Sequence, residues 1–177
     1  MAKKTITELE RVFDEAVKLL SSSGKIEHAA PELIEMLARA IGCDWATYWK
    51  VESLALRPIS SWSSHLITAP KLKADTQNRT LSLSEGTAGH VWRSGKPVWS
   101  TNLVRDMCLP RSLDPTTAGL QGGVWFALKA DRATYGVIEL LGRNLPEATG
   151  ELLSAIETHG MNLGRLIQTS HSQEQSK

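Results

Sequence analysis

The sequence has only two cysteines, Cys43 and Cys108, and they do not form a Cys-x-x-Cys pair. A cysteine-rich zinc site is therefore excluded, and both read as small buried hydrophobes in a reducing compartment. No run of apolar residues approaches the ~18 needed to span a bilayer. Met1-Ala2-Lys3-Lys4-Thr5 leads into a charged amphipathic stretch and not into an apolar signal core. The formal net charge is +1, so no overall field draws nucleic acid or an anionic membrane. The chain reads as cytoplasmic, with neither as a partner. Signatures of catalysis are missing as well: there is no Gly-x-Ser-x-Gly elbow, no Walker loop and no paired-carboxylate motif. His28, His65, His90, His159 and His171 contain no i, i+4 pair, which leaves a metal site without support.

What is present is a globular composition, 41% apolar and 22% charged over 177 residues, enough for one domain with a full core. We read one domain over 1–170, its core over 27–168, and a polar tail over 171–177. Ile6, Leu9, Phe13, Ala16 and Leu20 recur three and four apart, which predicts a helix over 5–22. Thr5 and Glu8 fit a capping box at its start, and Ser21-Ser22-Ser23-Gly24 stops it. The stripe Ala30, Leu33, Ile34, Leu37, Ala38 and Ile41 predicts a second helix from Glu27, with Pro31 in its first turn and Gly42 at its end.

Strands follow. Trp45, Thr47, Trp49 and Val51 alternate within Cys43 to Glu52, and Leu56 to Trp62 suits a hairpin partner. Residues 63–79 read as a loop with a short helix, and Leu81 and Leu83 as a short strand. Gly86 to Gly95 is a short helix, Val98-Trp99-Ser100 a short strand, and 102–120 irregular. Gly123 to Ala130 and Thr134 to Leu141 form a second hairpin. Asn144 then caps a last helix with Pro146 in its first turn, running to about Ser170. Consecutive strands on short connections, without β-α-β alternation, predict an α+β fold: an antiparallel sheet with helices on one face.

Three stretches resemble the GAF family of PAS-like sensory domains. They are Ala40-Ile41-Gly42-Cys43-Asp44-Trp45-Ala46-Thr47-Tyr48-Trp49, the glycine-bracketed run Gly86 to Val98, and Gly119 to Leu128 followed by Tyr135-Gly136-Val137-Ile138-Glu139-Leu140. The last helix, with Met161-Asn162-Leu163-Gly164-Arg165-Leu166-Ile167, looks most like GAF domains of bacterial sensor histidine kinases. The resemblance implies a central antiparallel sheet of about six strands, terminal helices on one face and a loop-rich ligand pocket on the other. It further implies a non-catalytic sensor that relays a signal through its terminal helices to an output domain such as a histidine kinase of a two-component system.

The expected pocket residues are Trp62, Trp92, Trp99, Cys108, Arg111, Trp125 and Glu139. Six tryptophans against two tyrosines and two phenylalanines suit an aromatic-lined pocket, while core filling is the plainer use of any single one. Arg105 and Arg111 are able to hold a carboxylate or phosphate, or simply to face solvent. Glu139, between Val137 and Leu141, serves either a cross-strand partner or a ligand. The ligand is left open. The family's bilin anchor is a cysteine followed directly by histidine, whereas Leu109 follows Cys108, and His90 reads as a partly exposed helix residue, so neither bilin nor haem is supported. With two cysteines, the likeness does not extend to the family's methionine sulfoxide reductases. A thiol-based redox sensor would need a lowered Cys108 pKa from Arg105 or Arg111. Leu9, Phe13 and Leu20, with Leu152, Ile156, Leu163 and Leu166, follow heptad-like spacing that suits either a homodimer seam or packing on the chain's own sheet. A ligand-free dimerisation or interaction module is the alternative function.

Overall fold

The computed structural model describes residues 2–106, 108 and 118–177. The chain runs α1 (Ala2–Ser23), α2 (Ile26–Ile41), β1 (Trp45–Glu52), β2 (Ala55–Ser63), α3 (Pro70–Gln77), α4 (Gly86–Ser94), β3 (Val98–Ser100), β4 (Gly122–Ala130), β5 (Ala133–Gly142) and α5 (Gly150–Gln175). The strands form one antiparallel sheet in the order β2-β1-β5-β4-β3. The strand expected at Leu81 and Leu83 is reduced to one bridge, Leu81 to Leu56, so that among the described residues the expected six or so strands are five and a bridge. The α+β architecture is as the sequence predicts.

The helices begin and end where their local chemistry allows. In α2 the Lys25 carbonyl already accepts from the Ala29 amide at 3.3 Å. The helix thus starts earlier than expected, and Pro31 falls in its second turn instead of its first. Gly42 closes it at φ 86°, in the left-handed region that glycine occupies without strain. The start of α5 corrects the expectation built on Asn144 and Pro146. The Trp99 indole donates to the Pro146 carbonyl at 2.9 Å and Leu145 is buried, which holds that segment outside the helix. Thr149 caps the helix instead, its side chain accepting from the Leu152 amide at 3.1 Å. The helix then continues through His171 to Gln175, so that the first part of the polar 171–177 stretch is helical.

Strand alternation divides the core into two layers. On one face α1, α2 and α5 cover Ala46, Tyr48, Val124, Phe126, Leu128, Ile138 and Leu140. Phe13 meets Phe126 edge-on at 5.9 Å and stacks on His159 at 4.4 Å. The expected seam residues Leu9, Phe13, Leu20, Leu152, Ile156 and Leu163 all lie in this layer at 5% exposure or less, with Leu166 packed against it. Of the two uses that spacing suits, the folded chain displays packing within itself: α1 lays its stripe on α2 and α5, and α5 lays its own on β4. Gly160 and Gly164 serve the same contact. A Cβ at Gly164 would fall onto the Lys129 backbone, and one at Gly160 onto the Ala127 carbonyl oxygen. No helix among the described residues is long and apolar enough to cross a membrane.

Two outcomes follow for stability. Gly164→Ala should cost about 3 kcal/mol or more by overpacking against β4, whereas Gly150→Ala, with open space at its Cβ, should be neutral or gain about 0.5 kcal/mol; urea denaturation of both decides. Burial lowers the His159 pKa, outweighing the raising influence of Glu10 and Asp14. The unfolded chain therefore binds this proton more readily, and stability should fall as pH drops through the ordinary value of 6.5. His159→Leu should shrink that loss in urea midpoints compared at neutral pH and about pH 5.5.

Candidate functional site

The second sheet face is where sequence parity brings the chemistry together. Thr47 of β1 stands opposite Glu139 of β5, which stands opposite Trp125 of β4. This row crosses the three central strands. The Trp125 indole donates to a Glu139 carboxylate oxygen at 2.9 Å, and the Trp45 indole donates to the Thr47 hydroxyl at 3.0 Å. Trp45, Trp49 and Trp125 are 1% exposed or less, and Glu139 is 2% exposed. The Trp125 ring lies back over Gly123, where an added Cβ would stand 2.7 Å from one ring carbon, so the tryptophan needs that glycine. Leu56, Leu72, Ala88, Val91, Leu103 and Leu120 complete the layer. A carboxylate sunk among three tryptophans is costly unless it is hydrogen-bonded, and the Trp125 bond meets part of that cost.

The expected pocket residues separate. Trp125, Glu139 and Cys108 lie in this layer, with Trp92 of α4 packed against it. Trp62 and Trp99 pack on the opposite, helix-covered layer, which corrects their assignment. The reason is register: Trp62 stands opposite Ala46 and Trp99 opposite Val124, both helix-side residues. Trp62 lies under the Arg39 guanidinium at 5.2 Å. Arg111 lies outside the described residues. The alternation of β1 sets Trp45, Thr47 and Trp49 on one face but does not assign them to this site; the missing information is which face β5 shares with β1.

Around this layer the polar groups are mostly engaged with one another. The Arg105 guanidinium holds Asp106 at 2.8 Å and Ser100 donates to the same carboxylate at 2.7 Å. These contacts pull the Asp106 carboxyl down to about 2, Arg105 foremost. The Cys108 thiol donates to the Asp106 carbonyl oxygen at 3.4 Å. Burial pushes its pKa up, and the nearby Asp106 charge adds to that. Of the two cations that could lower the thiol pKa, Arg105 is committed to Asp106, and Arg111 lies outside the described residues. Cys43 is also buried, with its thiol raised by burial. His90 is exposed. Among the described residues no group of three or more His, Cys, Asp or Glu is placed to hold a metal ion.

Two features connect this layer with its surroundings. A cleft of about 450 Å³ opens beside it, lined by Asn102, Leu103, Val104, Arg105, Leu120 and Gln121. At the sheet edge, Lys129 of β4 donates to the Gly95 carbonyl oxygen at 2.9 Å, closing α4. Lys129 and Lys96 also approach Glu157 of α5 at 3.6 and 3.0 Å. The end of α4 and the middle of α5 thus share one charge network.

No protein-family model matches the sequence, and no curated protein matches it. Solved structures do. The GAF domain of an Acinetobacter phosphoenolpyruvate-protein phosphotransferase superposes with a TM-score of 0.70 at 15% identity, covering 99% of both chains. The GAF domain of A. aeolicus Nlh2, in an inactive state, gives 0.69 at 17% identity, covering 93% of this chain and 98% of that one. Free methionine-R-sulfoxide reductase from Neisseria meningitidis, in complex with its substrate, gives 0.68 at 13% identity, covering 93% and 90%. At 17% identity or less these likenesses establish the fold, which is that of GAF domains.

Trp125→Phe removes a donor from a buried carboxylate and part of a packed ring. It should cost about 2–4 kcal/mol in urea denaturation. Cys108 should react slowly with iodoacetamide near neutral pH and speed up only in denaturant; fast alkylation of the native chain would contradict its burial and raised pKa.

Proposed function

We propose that this chain is a non-catalytic, cytoplasmic sensory module of the GAF type. A small molecule enters the cleft at Leu103 and Leu120 and rests against the Trp125–Glu139 pair. The observation that carries this reading is the double use of β4. On one face it presents Trp125, bonded to buried Glu139. On the other, the Ala127 and Lys129 backbone lies directly under Gly160 and Gly164 of α5. Glycine contacts of this kind leave no compressible side chain between strand and helix, so a ligand that shifts β4 moves α5 with it. The shift is limited to the ligand's differential affinity for the two positions. The Lys96–Glu157–Lys129 network offers a second route from α4 to the same helix. From α5 the signal passes to an output domain or partner, a sensor kinase being the kind suggested by the sequence of that helix.

A second reading has its own support. Trp45, Trp49 and Trp125 fill the face on which a ligand would rest, which suits a ligand-free interaction module. A reductase reading gains less: the chain has two cysteines, and both thiols are buried with raised pKa values.

Native mass spectrometry of freshly purified protein, followed by a thermal-shift screen of a metabolite library, separates the readings. The sensor reading expects a retained or stabilising small molecule whose effect is lost in Glu139→Gln. It also expects a ligand-dependent distance change between spin labels on α4 and α5. A clean empty chain that no compound stabilises would sink the sensor reading and leave the interaction module.

A further inference from the structure

The tryptophan layer is filled by its own side chains, with Trp45, Trp49 and Trp125 almost wholly buried. A molecule that rests against Trp125 and Glu139 therefore needs some element of the layer to give way. Among the elements that cover this face, α4 has a small hold. Three of its nine residues are buried, Ala88, Gly89 and Val91, and the first two bury almost no side chain. Few buried apolar groups mean a low free energy of local opening.

The two ends of α4 are fastened differently. At its start the backbone makes the attachment. The Ser84 amide donates to the Gly89 carbonyl at 3.1 Å, and a Cβ on Gly89 would stand 2.7 Å from the Ser82 carbonyl oxygen. That turn continues from Leu81, which bridges Leu56 of β2. At its other end the helix closes on Gly95, at φ 69°, and the Gly95 carbonyl accepts from the Lys129 ammonium at 2.9 Å. The fit is close, since a Cβ on Gly95 would stand 2.7 Å from the Lys129 Nζ. The Lys129 side chain is 22% exposed, which shields the bond from most competing water. The same ammonium lies 3.6 Å from Glu157 of α5, and Lys96, just past the helix end, reaches that carboxylate at 3.0 Å. The start of α4 is thus built as a pivot, while its end is held by side chains that also hold α5.

We propose that α4 is a lid over the tryptophan layer, pivoting on residues 82–86, with Lys129 as its bolt, and that the position of α5 sets how readily it opens. The role given to the lid rests on the reading that a ligand sits against Trp125 and Glu139. When α5 shifts, Glu157 no longer steadies Lys129 and Lys96, and the end of the lid is released. When a ligand lifts the lid, the same ion pairs carry the change to α5. Linkage makes the two directions equal in free energy, so whatever biases α5 also biases access to the layer.

The test is amide hydrogen exchange of the full chain with no ligand added, read by mass spectrometry beside the alkylation rates of the two thiols. A chain that binds nothing can pass it and a chain that binds a ligand can fail it, so its outcome is separate from that of the sensor reading. Lys129→Met keeps the apolar stem and removes the ammonium. It should speed exchange in α4 about tenfold and leave α2 unchanged. Cys108, in the layer that α4 covers, should then react faster with iodoacetamide, while Cys43, in the helix-side layer, should not. Glu157→Gln leaves the Lys129 bond to Gly95 in place and removes the ion pairs with α5. It should speed exchange in α4 by about threefold. Unchanged α4 exchange in Lys129→Met would overturn the lid. Equal acceleration in α2 and at Cys43 would do the same, as the mark of a general loosening. Wild-type exchange in Glu157→Gln would overturn the coupling to α5.

Discussion

Helix α5 meets strand β4 backbone to backbone at Gly160 and Gly164. Each glycine lets the helix rest on the strand with no side chain between them. Most else is arranged around that contact. With α5 fixed, Ile156, Leu163 and Ile167 drop into the helix-side layer, and His159 reaches Phe13 of α1. Glu157 comes within reach of Lys96 and Lys129. A helix held off by one methyl group at either glycine would lose several of these contacts together, since a packed interior transmits such displacements instead of absorbing them.

The same strand binds the two layers into one mechanical unit. Trp125, Ala127 and Lys129 alternate with Phe126 and Leu128, so β4 faces the tryptophan layer with one set of side chains and the helices with the other. Glu139 sits at the centre of the tryptophan layer, bonded to Trp125 and opposite Thr47. A buried carboxyl in that position gives the layer a preferred arrangement, because any shift of Trp125 weakens its hydrogen bond in a low-dielectric setting. The relay proposed above would use both faces of this strand.

Much of this is legible in the amino-acid sequence. The helical stripes of α1 and α2, the short helix stopped by Gly95, and the two hairpins follow from periods of three to four and of two. Those are properties of neighbouring residues alone. The departures share one cause. Asn144 and Pro146 carry the local chemistry of a helix start, but the Trp99 indole and buried Leu145 hold that segment outside the helix, and neither contact is local. Leu81 and Leu83 alternate like a strand, yet one bridge to Leu56 is all that forms. The heptad-like spacing of Leu9, Phe13, Leu152 and Ile156 is present as a pattern, and the chain's own helices and sheet take up the faces it creates, α1 against α2 and α5 and α5 against β4.

Sequence alone dictates which residues are apolar, their period, and where turns and caps are cheap; these fix the elements and the α+β class. It also places the chemistry on strands, with Glu139 between Val137 and Leu141. Which face of each strand is which was settled by the folded chain. Setting Trp62 opposite Ala46 and Trp99 opposite Val124 sends both to the helix side, while Thr47, Glu139 and Trp125 come into one row. Register is a relation between distant segments, and a slip of one residue exchanges the two faces. The period of two written in each strand is therefore silent about it until the strands pair.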